Sequence, residues 1–159
     1  PCSFGLWGLR EGVWYRMEEY YYASRKTGVQ LTDQEYVRAL QALADGREIR
    51  SVVADPSAAS FITALRQAGF HVVKANNDVL SGIRITADLL KRGRIAICEG
   101  CEDCLREIAM YRWSEETEGR DAPHKDNDHA MDDMRYFAVT VAAGERREEG
   151  AFCSVVRRS

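Results

Sequence analysis

Several features that would assign this chain quickly are missing from it. No apolar run approaches the roughly 20 residues that span a bilayer, and no signal-peptide pattern opens the chain. Net charge is only −3 over 159 residues, which excludes a uniformly basic nucleic-acid-binding surface but not a local basic groove. There is no G-x-x-x-x-G-K-S/T phosphate loop and no G-x-G-x-x-G turn, so nucleotide binding by those routes has no support. Internal repeats and low-complexity segments are also lacking. The five cysteines are an odd number, and only one cluster, "CEGCEDC", has C-x-x-C spacing. Without a second knuckle, a zinc or iron–sulfur site on Cys98, Cys101 and Cys104 would need a fourth ligand from elsewhere. Spacing of three also lines these sulfurs along one side of a helix, where a thiol packs as a small apolar group. Reduced thiols of an intracellular protein are the simpler reading.

What is present suits one soluble domain. Apolar residues make up 45% and charged residues 30%, and the length is enough to bury a core without staples. The chain opens on Pro1 rather than Met, which suggests a processed piece of something longer. "CSFGLWGLREGVWYRMEEYYY" is aromatic and β-prone and predicts a hairpin, with strands near 2–9 and 12–21 and a turn at Arg10–Gly12. Thr32 and Glu35 form a capping box opening an amphipathic helix that stops at Gly46. Strand "IRSVVAD" then leads into a helix starting at Pro56 and ending at Gly69. A strand "FHVVKAN", a helix "DVLSGIRITADLLKRG", a strand "RIAI" and a helix near 102–111 follow. Residues 112–125 are polar and turn-rich, suggesting a small hairpin at Trp113, before a last helix near 127–143. The tail 144–159 reads as loosely held. This order describes an α/β fold, a mixed sheet with helices packed on it, in a single domain over 1–143.

Two places carry chemistry. Asp55 ends the apolar strand "SVVAD", at the edge where functional groups gather in open α/β sheets. Taken alone, it reads more readily as the cap of the following helix than as a ligand. "KDNDHAMDDMRYF" puts Asp126, Asp128, Asp132 and Asp133 around His129 within one helix entry. Asp128 and Asp132 share a face, and like charges at that spacing cost roughly 0.2–0.5 kcal/mol. The helix N-terminus offsets this for Asp126 and Asp128 but does little for acids further in. With Ala130, Met131, Met134, Tyr136, Phe137 and Val139 around them, an interior carboxylate is part-buried and needs a partner. Arg135 supplies an ion pair. A hard divalent cation, Mg²⁺ or Mn²⁺, is the alternative.

Taken together, "VVADPSAASFITALRQAGFHVVKANNDVLSGIRITADLLKRGRIAI", "YRWSEE" and "NDHAMDDMRYFAV" resemble the C-terminal nuclease domain of phage terminase large subunits, PBSX-like group. "TGVQLTDQEYVRAL" resembles the segment before that family's second catalytic strand. The resemblance runs over nearly the whole chain. It implies a ribonuclease H-like fold that cuts double-stranded DNA with two Mg²⁺ or Mn²⁺ ions during genome packaging. Asp55 and Asp132 would then be catalytic metal ligands, with His129 in support, Asp128 a less certain position, and Asp133 no ligand but a bystander or the partner of Arg135. DNA contacts would come from Lys74, Arg84 and Lys125, with Lys91, Arg92 and Arg94 as further positives. It also implies the terminase small subunit and portal protein as partners, in the cytoplasm of a bacterial host, with no membrane. The family's first catalytic aspartate, on a strand ending in a "DYG"-like motif, has no counterpart here. That strand should lie centrally, between the hairpin and "SVVAD", and the isolated chain is expected to cut weakly or not at all. An inactive prophage-derived remnant, another ribonuclease H-like nuclease of resolvase or integrase type, and a cysteine-metal module are the competing readings.

Overall fold

The computed structural model describes residues 1–118, 128–144 and 150–157, with 111–118 as main chain. Strands β1 (Cys2–Arg10) and β2 (Val13–Tyr22) form the expected hairpin. It turns at Glu11 and Gly12, both with positive φ (51° and 79°), the geometry whose twist matches paired strands. After a short helix α1 (Ser24–Thr27), α2 (Asp33–Ala44) starts on the expected capping box. Thr32 Oγ1 accepts from the Glu35 N–H at 3.3 Å, and the Glu35 carboxylate accepts from the Thr32 N–H at 2.7 Å.

The alternation then runs β3 (Ile49–Ala54), α3 (Ala59–Gln67), β4 (Val72–Lys74), α4 (Val79–Lys91) and β5 (Ile95–Ile97). Helix α3 begins later than Pro56. The Asp55 carboxylate accepts from the Ser57 N–H and hydroxyl at 2.9 and 2.8 Å, holding 55–57 as a turn instead. Helix α5 (Glu102–Glu118) continues through 112–118, where a hairpin was expected. Helix α6 (His129–Phe137) leads into a π-helical turn, Ala138–Ala142.

Strand β6 (Ala151–Arg157) completes one mixed sheet of order β4-β3-β6-β1-β2-β5. The last strand in the chain is therefore central in the sheet. It pairs antiparallel with β1, Leu6 opposite Cys153, and parallel with β3, Ala54 beside Val155. This corrects the expected loose tail, and it fills the slot that was expected to lack a strand. Unpaired edges on β1 and β3 would otherwise leave two rows of backbone groups open in the middle of the sheet. "AFCSVV" suits that slot because, Ser154 apart, it is apolar toward both faces, as a strand covered on two sides must be.

Alternation divides the core. Cys2, Phe4, Leu6, Val52, Ala54, Cys153 and Val155 face α2 and α3, meeting Tyr36, Leu40, Phe61 and Leu65. Trp7, Trp14, Ile95 and Phe152 face the other way and meet Cys101 just before α5, Cys104 of α5, and Ala130, Met134 and Phe137 of α6. No helix among the described residues is long and apolar enough to cross a membrane.

Candidate functional site

Asp55 extends β3 by one residue, its N–H donating to the Val155 carbonyl at 3.2 Å. Val53 packs with Tyr136 of α6, and strand alternation turns Asp55 toward the same face. Helix α6 crosses that face in a definite direction. Phe137 stacks on Trp7 with ring centroids 4.2 Å apart, while Asp133, four residues earlier, reaches Ser3 and Ser154. Ser3 and Val156 are paired at the end of β6, so the N-terminus of α6 points to the edge where β3 and β6 finish. Tyr136 touches Val53, Ala75 and Val156, and Asp132 lies one turn before it on the same side of the helix. Register and helix direction thus bring Asp55 and Asp132 to one edge and one face of the sheet.

Both carboxylates are nearly buried and each has a protein partner. Asp55 holds Ser57. Asp132 accepts from Arg135 at 3.1 Å, inside the first turn of a helix that starts two residues later than expected. Arg135 lies 4.7 Å above the Tyr136 ring and runs past Gly82 of α4. A Cβ on Gly82 would stand 2.8 Å from Arg135 Cγ, so only glycine lets this side chain by. Level with Asp55 on the neighbouring strand stands Val156, fully buried among Val53, Ala75 and Tyr136. The oxygen donors of Asp55 and Asp132 fit the chemistry of Mg²⁺ or Mn²⁺. Their number is short of a full set: among the described residues, no three His, Cys, Asp or Glu converge on a cation position.

Asp133 is neither a bystander nor the partner of Arg135. Its carboxylate lies beneath the helix, fully buried, and accepts from Arg16, Ser3 and Ser154, the last at 2.7 Å. Arg16 of β2 is equally buried. Its second nitrogen reaches Asp133 at 3.1 Å and Glu19 at 3.3 Å, and Trp7 Nε1 donates to Ser154 at 2.8 Å. Burial alone would weaken the guanidinium's hold on its proton, but the Asp133 charge and hydrogen bond more than reverse that. Gly5 is what admits Arg16, because a Cβ there would lie 2.2 Å from its Nη1. The clue in the sequence was the lone arginine of a strand that, apart from Glu18 and Glu19, is apolar and aromatic; an arginine buried there needs acid partners.

Glu107 of α5 went unnoticed in the sequence. It is buried and accepts from the Tyr21 hydroxyl at 2.7 Å and from the Met131 N–H at 3.0 Å. Burial pushes its carboxyl up to about 7, against the pull of those donors. His129 is buried with its ring centroid 6.2 Å from that of Tyr21. Asp128 takes the N-cap position of α6, yet its side chain makes no capping hydrogen bond, contrary to the expected service at the helix start.

The basic candidates separate by position. Lys74 is exposed and pairs in register with Ala54, placing it at the same sheet edge as Asp55. Arg84 is exposed on α4, as are Lys91, Arg92 and Arg94 around its end, and Arg92 bonds Asp88 at 3.1 Å. Lys125 and Asp126 lie outside the described residues. Cys101 and Cys104 are buried in the apolar cluster under α5 and Cys98 is half-buried. Burial pushes the Cys101 thiol up to about 11 and the Cys104 thiol to about 12, so both stay protonated and pack as apolar groups.

No protein-family model matches the chain. Among curated proteins no relative was found either. Solved structures do match. The large terminase of a thermophilic bacteriophage, in complex with ADP, is 45% identical over 89% of this chain, with a TM-score of 0.81. The same terminase in complex with ATP-gamma-S gives the same identity, coverage and TM-score, and another structure of it gives 45%, 87% and 0.79. The chain spans 37% of the length of that terminase in the first two structures and 36% in the third. The expected α/β class, a mixed sheet flanked by helices, is borne out by both the sheet order and this similarity.

Proposed function

We propose, for a chain that belongs with the phage large terminases, the role of their nuclease domain: metal-dependent cleavage of double-stranded DNA during genome packaging. What supports this reading is that strand register and helix direction put Asp55, just past β3, and Asp132, on α6, toward one edge and face of the sheet. Together they would hold Mg²⁺ or Mn²⁺, which when bound polarises a phosphate oxygen and activates a water. The chain's own residues do the rest. Arg135 holds the Asp132 carboxylate in a fixed rotamer. Ser57 does the same for Asp55. Lys74, at the same edge, supplies a positive charge for a DNA phosphate, and Arg84 extends that surface. His129 orients the acid-bearing turn or relays a proton. The terminase small subunit, the portal protein and the host cytoplasm come with this assignment.

Val156 supports a second reading, an inactive remnant. Where a third carboxylate would join Asp55 and Asp132, this chain has a buried valine. One pair of assays separates the two. Mn²⁺ is titrated into the chain while resonances of residues 55 and 132 are followed by NMR, and supercoiled DNA is incubated with protein and Mn²⁺. Paramagnetic broadening at both positions is expected under either reading; slow cleavage that is lost in Asp132→Ala supports the nuclease role, and broadening with no cleavage at all supports the remnant. No broadening at either acid overturns the nuclease assignment, and fast cleavage that survives Asp132→Ala overturns the site.

A further inference from the structure

Helix α6 presents an unusual start. Its first-turn amides need acceptors, and a helix ordinarily takes one from its own N-cap side chain. Asp128 occupies that position and makes no such bond. The acceptor comes instead from a different helix: Glu107 of α5 takes the Met131 N–H at 3.0 Å, and the Ala130 N–H also bonds to it. Glu107 is only 3% exposed, an unfavourable place for a carboxylate without several donors. Its other oxygen accepts from the Tyr21 hydroxyl at 2.7 Å, so both oxygens are aimed.

Tyr21 belongs to β2, and β2 also holds the start of α5. Two residues earlier, Glu19 accepts from the Asp103 N–H at 2.6 Å and the Cys104 N–H at 3.2 Å. A rigid strand thus sets α5 through Glu19 and aims Glu107 through Tyr21, and Glu107 then sets the first turn of α6. That turn carries His129 and Asp132, and His129 packs near the same Tyr21 ring.

We propose that Glu107, aimed by Tyr21, is a positioning residue that fixes the depth and rotation of the first turn of α6, and so where Asp132 and His129 stand relative to Asp55. The inference rests on the reading of Asp55 and Asp132 as the cation site. A cap supplied from another element ties the turn to the sheet, which a side chain on the helix itself cannot do. That is the distinction the experiment must resolve.

The whole chain is compared with Glu107→Ala, Glu107→Gln and Tyr21→Phe by three readouts. Amide exchange at residues 130 and 131, without metal, is expected to speed up about fivefold to tenfold in Glu107→Ala, as loss of a cap implies, while exchange in β1 and β6 stays unchanged. The His129 ring-proton shift, set by the Tyr21 ring current, is expected to move in Glu107→Ala and in Tyr21→Phe. The Mn²⁺ concentration that half-broadens residue 132 is expected to rise roughly tenfold, the usual effect of losing a group that orients a ligand. Glu107→Gln, which keeps a carbonyl acceptor, should recover most of each change. Unchanged exchange and an unchanged His129 shift in a folded Glu107→Ala protein overturn the proposal. Faster exchange with an unmoved ring shift and unmoved Mn²⁺ response overturns it too, because Glu107 is then a cap and nothing more. If wild type shows no Mn²⁺ response, the metal reading fails by itself, and the exchange and ring-shift results still decide whether Glu107 positions the turn.

Discussion

Asp133→Ala removes the acceptor shared by Arg16, Ser3 and Ser154, and its effect follows from the burial of what is left behind. Arg16 is fully buried and cannot turn to water. Breaking a buried ion pair from one side costs about 3–5 kcal/mol, because the remaining charge stays desolvated. Two other acceptors soften this: Glu19 at 3.3 Å and the Phe4 carbonyl at 3.4 Å already touch Arg16 Nη2. The lower end, about 3 kcal/mol, is therefore expected, against a total stability of about 5–15 kcal/mol for such a domain. At about 2–4 °C per kcal/mol for this size, the melting temperature should fall by roughly 6–12 °C. Urea unfolding followed by near-UV circular dichroism measures it, with the midpoint lowered and the slope unchanged. The double variant Arg16→Met/Asp133→Leu, which removes both charges and keeps apolar volume, should regain most of the loss. A single variant within about 1 kcal/mol of wild type would refute the reasoning. So would a double variant no more stable than the single.

Three further outcomes follow from the same structure. Val156→Asp places a carboxylate between Asp55 and Ser3 at a buried position, so it should lower thermal stability without metal, and Mn²⁺ should restore it and raise DNA cleavage above wild type; a melting curve indifferent to Mn²⁺ counts against the site. Glu107, raised from 4.5 to about 7, binds its proton more tightly folded than unfolded, so its stabilising contribution is complete below about pH 4.5 and is lost as pH rises through 7. Glu107→Gln should flatten that part of the stability–pH curve, by up to about 3 kcal/mol, and an unchanged curve would remove Glu107 as its source. Ending the chain at Gly144 deletes β6 and exposes the facing edges of β1 and β3, so cooperative unfolding should vanish; a sharp melt from that shortened protein would contradict the central role of β6.

Local chemistry made much of this fold readable in advance. The Glu11–Gly12 turn, the Thr32–Glu35 capping box and the Asp78 start of α4 depend on residues within four positions of one another, so the pattern carries them. Asp55 and Asp132 could be nominated for different reasons: one ends a strand at the sheet edge where functional groups gather, and the other lies inside an apolar helix stretch and needs a partner. Asp133 met the second criterion and was misassigned. Its partner Arg16 lies 117 positions away, and only the packing of α6 across β6 and β1 brings the two together.

β6 shows the limit most plainly. "GERREEGAFCSVVRRS" has the composition of a solvated end, because its apolar stretch is short and flanked by charge. Its burial was decided by the gap between β1 and β3, a property of the whole sheet that no window of sequence contains. Glu107 is similar, an ordinary helix acid until α6 docks its bare first turn against it. Element types, caps and the carboxylates short of a partner follow from the order of residues, since bonded geometry and side-chain periodicity act over a few positions. Which strand fills the centre, which acid neutralises Arg16 and what holds the turn bearing Asp132 were settled by long-range packing, where burial makes each unpaired group too unfavourable to leave alone.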